Sequence, residues 1–533
     1  MTTFTTGGEA AISQLVAEGV RVVFGIPGEH NVCLCDAILD YPELRFIGGR
    51  HEQDIAFMAN GFARVSGKVA ALLVISGPGV TNTLTALADA YADSVPMVLL
   101  AASPKQQFVG KGAFHELKDQ TALLGSVTKW HTRVTTVAQV PAAISTAVSQ
   151  AYAGRAGPTA VEIPYDVQEA HGRPPPVSAT PRVRRGADDA AVSDAARRIA
   201  GAARPLVLLG SAAAECSAEI IGLIERLNAV CGATALASGI VPSNHPLCLG
   251  CWIERELARP MLEDADVIVV VGCGLTEIDT RGWTLPLSDK LIQIDACPET
   301  IGRNYDVAVG MAGDPKTVLA QLLEQLARMD HAPRLSPAHR IGDIKQRIVA
   351  SASDDPTWQF VEAMARALPR DALVTNDASV VNGWALIGIP RYLPRTINIT
   401  RNLAALGFAF PAAVGAKVAY PDRQAVAVAG DGGFLFTSNV LTTAAQYKLN
   451  AVAVVFNDRC YSTIKHIQTE RFGRTIGVEL QNPDYVMLAE AQGAVGVRTT
   501  RPQQLHDALL DAWQRDIPTV IEVALDKQTQ RLP

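Results

Sequence analysis

No stretch of the 533-residue chain approaches the roughly 20 consecutive apolar residues that a bilayer-spanning helix needs, so a helical membrane protein is not expected. A basic-then-apolar leader is also missing from the first residues, and the expected compartment is the cytoplasm. Basic runs are scarce: only Arg182 to Arg185 gathers cations, and a formal charge of -6 is spread along the rest. That distribution offers neither a nucleic acid nor a membrane surface much to hold, which points to a small-molecule substrate. A disulfide framework is excluded as well, because nine cysteines, an odd number mostly inside apolar stretches of a long chain, read as reduced thiols. Cys248 and Cys251 have CxxC spacing, but no second Cys or His pair stands near enough in sequence to complete a zinc site, and Cys33 and Cys35 fare no better. No short-period repeat is visible.

What the chain does have is an alternation of apolar strands and amphipathic helices, interrupted twice. The first interruption, Gly172 to Gly186, carries Pro174-Pro175-Pro176 and reads as a semi-rigid linker. The second runs from about His331 to Pro356. They divide the chain into domains at 1-170, 187-330 and 356-533, each of α/β class with a mainly parallel sheet flanked by helices. In the middle domain Pro205 to Leu209, Val267 to Val271 and Leu291 to Ile294 read as buried strands, and Gly272-Cys273-Gly274 after one of them is a weak dinucleotide signal.

The most telling segment is Gly430-Asp431-Gly432-Gly433, which follows a short buried strand, Ala425 to Ala429. Its glycines let backbone approach phosphate oxygens, and Phe434 to Tyr447 reads as a helix whose amino end faces the anion. A second strand, Ala451 to Phe456, delivers Asn457 to the same sheet edge. A carboxylate, an amide oxygen and phosphates together suit magnesium.

This pairing is the signature of thiamine-diphosphate (ThDP) enzymes, and the chain resembles, along essentially its whole length, the family of acetolactate synthase, pyruvate decarboxylase, benzoylformate decarboxylase and benzaldehyde lyase. Arg50-His51-Glu52-Gln53, Ser76 to Asn82 and Asn482-Pro483-Asp484 look most like acetolactate synthase. Gly110 to Leu117 looks more like the 5-guanidino-2-oxopentanoate decarboxylase branch. The resemblance implies a ThDP fold whose first and last domains, binding pyrimidine and diphosphate, share one topology. It also implies a homodimer at minimum, with a tetramer as the usual family assembly, because different subunits bind the two ends of the cofactor.

By the same resemblance, Glu52 would share a proton with a pyrimidine nitrogen so that the cofactor's own amine can take the C2 proton. The Ala404 carbonyl would accept from that amine, and Leu406 would pack under the cofactor to fold it, where acetolactate synthases usually have Met. Asp431, Asn457 and the backbone carbonyl of Arg459 would hold magnesium. Gly430, Gly432, Gly433 and Ser379 would cradle the diphosphate.

For the substrate, Gly25 to Asn31 should place Glu29 and His30 on a loop at the sheet edge, an acid-base pair suited to protonating the enamine left after carbon dioxide departs. Phe114, His115 and Glu116 match a Phe-Gln-Glu element of acetolactate synthase, with His where Gln contacts reacting groups. Ser462, Thr463 and His466 replace larger apolar residues and imply a more polar pocket. A cationic 2-oxo acid would fit if Glu29 or Glu116 faced the donor side chain. The expectation is thus a lyase that decarboxylates a 2-oxo acid with ThDP and magnesium. The alternatives are an acetolactate-synthase-like carboligase (a transferase), a silent ThDP-binding paralogue, and a flavin-linked oxidase.

Overall fold

A computed structural model describes residues 5–331 and 333–525. The apolar runs become three six-stranded sheets in which every strand pair is parallel. Parallel strands are covered by helices on both faces and need continuous apolar sequence rather than alternation. Ala70–Val74 and Ala451–Asn457 have it and are buried at every position.

From edge to edge the first sheet runs Arg45–Gly48, Val22–Gly25, Ala70–Val74, Met97–Ser103, Pro158–Pro164, Trp130–Arg133. The third runs Ile397–Ile399, Leu373–Asn376, Ala425–Gly430, Ala451–Asn457, Thr519–Ala524, Val495–Thr499. Counted in chain order within each sheet, both are 2-1-3-4-6-5, the shared topology that the resemblance implied. The middle sheet, Cys248–Gly250, Val230–Ala233, Pro205–Leu209, Val267–Val271, Leu291–Asp295, Val307–Ala312, is ordered 3-2-1-4-5-6, as in dinucleotide-binding folds.

The first and third sheets are joined through two helices, Glu52–Ser66 and Ala409–Ala419, both buried along most of their length. A Cβ on Gly415 would lie 1.8 Å from the Met58 carbonyl oxygen, and one on Gly61 would lie 2.2 Å from that of Ala412, so the two backbones touch with no side chain between them. Around this crossing Phe24, Phe57, Phe408, Phe410 and Phe434 belong to one continuous core. Arg64 fastens it: its Nη2 lies 2.9 Å from both Asp89 and Asp93, and its Nη1 donates to the Ile399 carbonyl at 3.0 Å. Breaking such a buried ion pair by removing one partner costs about 3–5 kcal/mol.

The linker residues from 173 to 188 carry no regular structure, and Asp188 caps the helix Asp189–Gly201 that follows. The second interruption is different from its reading. It contains the helix Ala338–Ala352, whose Ile341, Ile344 and Ile348 are buried with Trp358 and Phe360. These isoleucines have helical spacing, but the charged residues between them thin the apolar signal to one narrow stripe. Among the described residues no helix is long and apolar enough to cross a membrane, all nine cysteines are free thiols, and no group of three or more His, Cys, Asp or Glu could hold a metal ion.

Candidate active site

In the first sheet, loops after adjacent strands collect side chains at the carboxyl edge, the usual place for ligands in parallel sheets. Glu52 opens the helix Glu52–Ser66, whose start is capped by His51. Its half-buried carboxylate accepts from Asn82 Nδ2 at 2.9 Å, from the next helix, Pro78–Ala92. Glu52 is therefore held by a neighbouring side chain and does not swing free in solvent.

Glu29 and His30 lie in a tight turn after strand Val22–Gly25. Glu29 is exposed, whereas His30 is buried, with Nδ1 2.8 Å from Ser76 Oγ. Its ring meets His115 edge-on at 5.8 Å between centroids and lies 5.9 Å from Phe114. Burial pulls the His30 pKa below that of an ordinary imidazole; Glu29 opposes this and His115 reinforces it. His30 is thus neutral at pH 7.

His115 has φ +59, a conformation that costs a non-glycine residue energy, and its Nδ1 is buried without a hydrogen-bond partner. Its ring stacks on Phe114, which is 60% exposed, at 3.7 Å. Glu116 points its carboxylate at neighbouring backbone. It turns back onto its own loop, accepting from the Gly110 N–H and from that of Ala113 at 2.9 Å, and these bonds hold its carboxyl below the usual range.

In the third sheet, adjacent strands Ala425–Gly430 and Ala451–Asn457 deliver Asp431 and Asn457 side by side. Asp431 Oδ2 and Asn457 Oδ1 both accept from a single amide nitrogen, Asn482 Nδ2, at 2.7 and 2.9 Å. Two oxygens converging on one point are the start of a divalent-cation site. Asn457 is oriented oxygen-inward because its Nδ2 donates to Glu522 at 2.7 Å. Arg459 has φ +58, and its carbonyl accepts the Leu480 N–H at 2.9 Å, which uses one of its two lone pairs. A carboxylate, an amide oxygen and a backbone carbonyl fit magnesium. Burial raises the Asp431 pKa, a cost that a bound cation would reverse.

The glycine cradle has concrete steric reasons. A Cβ on Gly432 would come within 2.4 Å of the Tyr461 ring, and one on Gly433 within 3.1 Å of the Asp377 carboxylate. Asp377 is the organiser here: its Oδ1 accepts from the Ala378 N–H at 2.9 Å and its Oδ2 from the Gly407 N–H at 3.0 Å. Burial pushes its pKa to about 7. One carboxylate therefore gathers the loop of Ser379, the turn of Ala404 and Leu406, and Gly433. Ser379 precedes the helix Val380–Gly388, and its Cβ lies 3.5 Å from where a Cβ on Gly430 would be. Ala404 is exposed at φ +53, and Leu406 is half-buried.

One expectation needs correction. The helix read over Phe434 to Tyr447 is two pieces, Asp431–Leu435 and Val440–Gln446. Between them Thr437 donates to the Gly407 carbonyl at 2.8 Å and Asn439 donates to Asp54, so polar side chains bind other segments where the helix ladder would have run. Ser462, Thr463 and His466 lie on the helix Ser462–Phe472, in which no residue is buried. Ser462 bonds Asp458, and His466 lies exposed, 3.7 Å from Glu470.

The first sheet meets the third at other points, Gly48 N–H to Tyr447 at 2.8 Å and Arg50 to Gln446 at 2.6 Å. Among the described residues no hydrogen bond or ion pair joins Glu52, His30 or His115 to Asp431 or Asn457. Sequence reasoning did not single out Ser76, Asn82, Asp377 or Asn482. Three of them stood inside quoted segments, but only the fold shows which side chain each one holds.

Three family models match in order: "Thiamine pyrophosphate enzyme, N-terminal TPP binding domain" over 5–123, the central domain over 192–322, and the C-terminal TPP binding domain over 377–523. Among curated proteins, a probable acetolactate synthase large subunit of Methanocaldococcus jannaschii is 30% identical over 98% of this chain and 92% of its own. A probable 2-ketoarginine decarboxylase of Pseudomonas aeruginosa is 32% identical over 96% and 91%. The acetolactate synthase of Bacillus subtilis is 31% identical over 98% and 93%.

Proposed function

The chain belongs to the thiamine pyrophosphate enzyme family, and on that premise we propose that it is a ThDP- and magnesium-dependent enzyme that decarboxylates a small 2-oxo acid and releases an aldehyde. When bound, ThDP would supply the nucleophilic carbon and the electron sink that loss of carbon dioxide from a 2-oxo acid needs. The residues of this chain then have distinct tasks. Asp431, Asn457 and the Arg459 carbonyl hold the metal, and the backbone of Gly432 and Gly433 lies against the diphosphate. Glu52 holds a proton at the pyrimidine nitrogen, and Asn82 keeps its carboxylate in place. Leu406, on the turn fixed by Asp377, packs beneath the cofactor.

The observation that carries decarboxylation is the pairing of buried His30 with half-buried His115, 5.8 Å apart, with Glu29 beside them. His30, neutral and next to an imidazole with an unused nitrogen, would relay a proton: Nδ1 takes one from Ser76 Oγ as the other ring nitrogen gives one to the carbon that carbon dioxide leaves, and solvent returns the proton to Ser76. The pyrimidine-side residue Glu52 and the metal-side residues Asp431 and Asn457, none of which bonds another within the chain, would meet in a site completed between two copies of the chain, a homodimer at minimum.

A carboligase of the acetolactate synthase type is the second reading. It is favoured by Asn82 and Asn482, which lie in the segments most like that branch and hold Glu52, Asp431 and Asn457 in position. The test supplies ThDP, magnesium and a panel of aliphatic, aromatic and guanidino 2-oxo acids, follows carbon dioxide, and identifies products by mass spectrometry. Aldehyde without coupled product is the expected result. Hydroxy ketone or acetohydroxy acid as the main product would replace the first reading with the second, and tight ThDP binding without turnover on any donor would overturn both.

A further inference from the structure

The turn that carries Ala404 and Leu406 hangs between two sets of carboxylates. At its far end the Gly407 N–H donates to Asp377 at 3.0 Å. At its near end Thr400 Oγ1 donates to Asp89 and accepts from the Ala405 N–H at 2.9 Å. Asp93 accepts there from the Arg401 N–H at 3.0 Å and from the Asn402 N–H at 3.1 Å. Asp89 and Asp93 belong to the first domain, in the last turn and at the end of the helix Pro78–Ala92, and they are the two carboxylates that Arg64 holds.

The Arg401 side chain reaches the middle domain. Its Nη2 donates to Glu254 at 2.9 Å and to the Ile278 carbonyl at 3.2 Å, and its Nε donates to Asp279 at 3.3 Å. Glu254 follows the strand Cys248–Gly250 and Asp279 follows the strand Val267–Val271, so two loops at the carboxyl edge of the middle sheet converge on one guanidinium. Thr276 Oγ1 donates to Asp279 at 2.9 Å and keeps that carboxylate in place. The three charged side chains are 13%, 18% and 12% exposed for Arg401, Glu254 and Asp279. Burial raises the pKa of both carboxyls, that of Glu254 to about 7, and the guanidinium between them is the largest influence that opposes the rise. Without it, two buried like charges would face each other and either take up protons or draw in water at the first residues of the turn.

Arg401 is thus bound to the first domain through its backbone and to the middle domain through its side chain, while its own segment leads into Ala404 and Leu406. Building on the reading that these two residues meet the cofactor, we propose that Arg401 is a positioning residue for the reaction: it ties the middle domain to this turn and so fixes the Ala404 carbonyl and the Leu406 side chain against the rings of ThDP. Magnesium and diphosphate are held elsewhere, by Asp431, Asn457 and the glycines. Affinity and geometry therefore part company: loss of Arg401 leaves most of the binding and disturbs the bent arrangement on which removal of the C2 proton depends. A displacement of about 1 Å near a reacting group costs about 100-fold.

The test compares Arg401→Gln with the unmodified full-length chain in three measurements. ThDP affinity is read by tryptophan fluorescence at saturating magnesium. Exchange of the C2 proton of bound ThDP with deuterated water is read by acid quench and NMR, which needs no knowledge of the donor. Amide hydrogen exchange of residues 400–407 is read by mass spectrometry in the cofactor-free chain. Arg401→Gln should bind ThDP within about fivefold of the parent yet exchange the C2 proton at least about tenfold more slowly, with faster amide exchange at 400–407 and unchanged exchange in the sheet strands. Arg401→Lys keeps a cation between the two carboxylates and should restore part of the C2 exchange. Should Arg401→Gln not fold, Arg401→Lys and Asp279→Asn carry the comparison, and each should slow C2 exchange several-fold more than it weakens ThDP. Parent-like C2 exchange in a variant that binds ThDP, or affinity and exchange lost in equal proportion, overturns the positioning role and leaves the ThDP reading standing. Failure of the unmodified chain to bind ThDP overturns that reading, and this inference with it.

Discussion

Asn482 gives the sharpest test of the metal site, because one amide nitrogen holds both oxygens that are to bind the cation. Asn482→Ala removes a hydrogen bond to a charged carboxylate, 2.7 Å from Asp431, and one to a neutral amide oxygen, 2.9 Å from Asn457. Typical net contributions are about 1.5–3 kcal/mol for the first and about 0.5–1.5 kcal/mol for the second, so the pair contributes roughly 2–4 kcal/mol to holding the oxygens convergent. A bound cation attracts the same two oxygens and recovers part of that order. Taking about half as lost from binding, the apparent Kd values for magnesium and ThDP should each rise about tenfold. The assay is a tryptophan-fluorescence titration of ThDP at fixed magnesium, and of magnesium at fixed ThDP, with circular dichroism as the fold control. Turnover at saturating cofactor should change much less than affinity. Asn482→Asp should show the same defect and recover further at high magnesium, since two carboxylates repel until a cation lies between them. Affinities within twofold of the parent for both ligands would refute the reasoning, as would a loss confined to turnover.

Glu52→Gln can still meet Asn82 but cannot take up a proton, so turnover should fall at least about 100-fold while ThDP affinity stays within a few-fold; parallel kinetic and binding titrations check this. Glu29→Gln with His30→Ala should lower the aldehyde yield and raise coupled product, and an unchanged product distribution and rate would remove these residues from proton transfer. Asp377 binds its proton more tightly in the folded chain, about 7, than in the unfolded one, about 3.9, so stability is highest at low pH and is lost as pH rises through that window. Between pH 6 and 8 this should amount to about 1.4 kcal/mol in urea unfolding, and the pH dependence should shrink by about that much in Asp377→Asn; equal pH dependence in both chains would count against it. Gly415→Ala would place a Cβ 1.8 Å from the Met58 carbonyl oxygen and should cost at least about 1–3 kcal/mol, read as a lower urea midpoint.

The strands beside Asp431 and Asn457 were legible because a doubly covered parallel strand must be apolar throughout, and few other elements read that way over so short a span. The broken helix after Asp431 was not. Its apolar spacing continues across Thr437 and Asn439, and only the positions of Gly407 and Asp54, far away in sequence, decide that these side chains bond elsewhere. The helix Ala338–Ala352 was lost for a related reason, since its narrow stripe means little until the core that it covers is known.

By itself, the sequence determined the class of three α/β units and the pairing of Asp431 with Asn457, because strand burial and hard-ligand chemistry are local properties of residue type and spacing. Tertiary structure decided which side chains support them. Asn482 on Asp431 and Asn457, Asn82 on Glu52, Ser76 on His30, and Asp377 beneath three loops all act across long sequence separations. It also turned Glu116 onto its own loop. Hydrogen bonds and desolvation depend on which atoms meet, and in a chain of this length that is a property of how the sheets are ordered and packed.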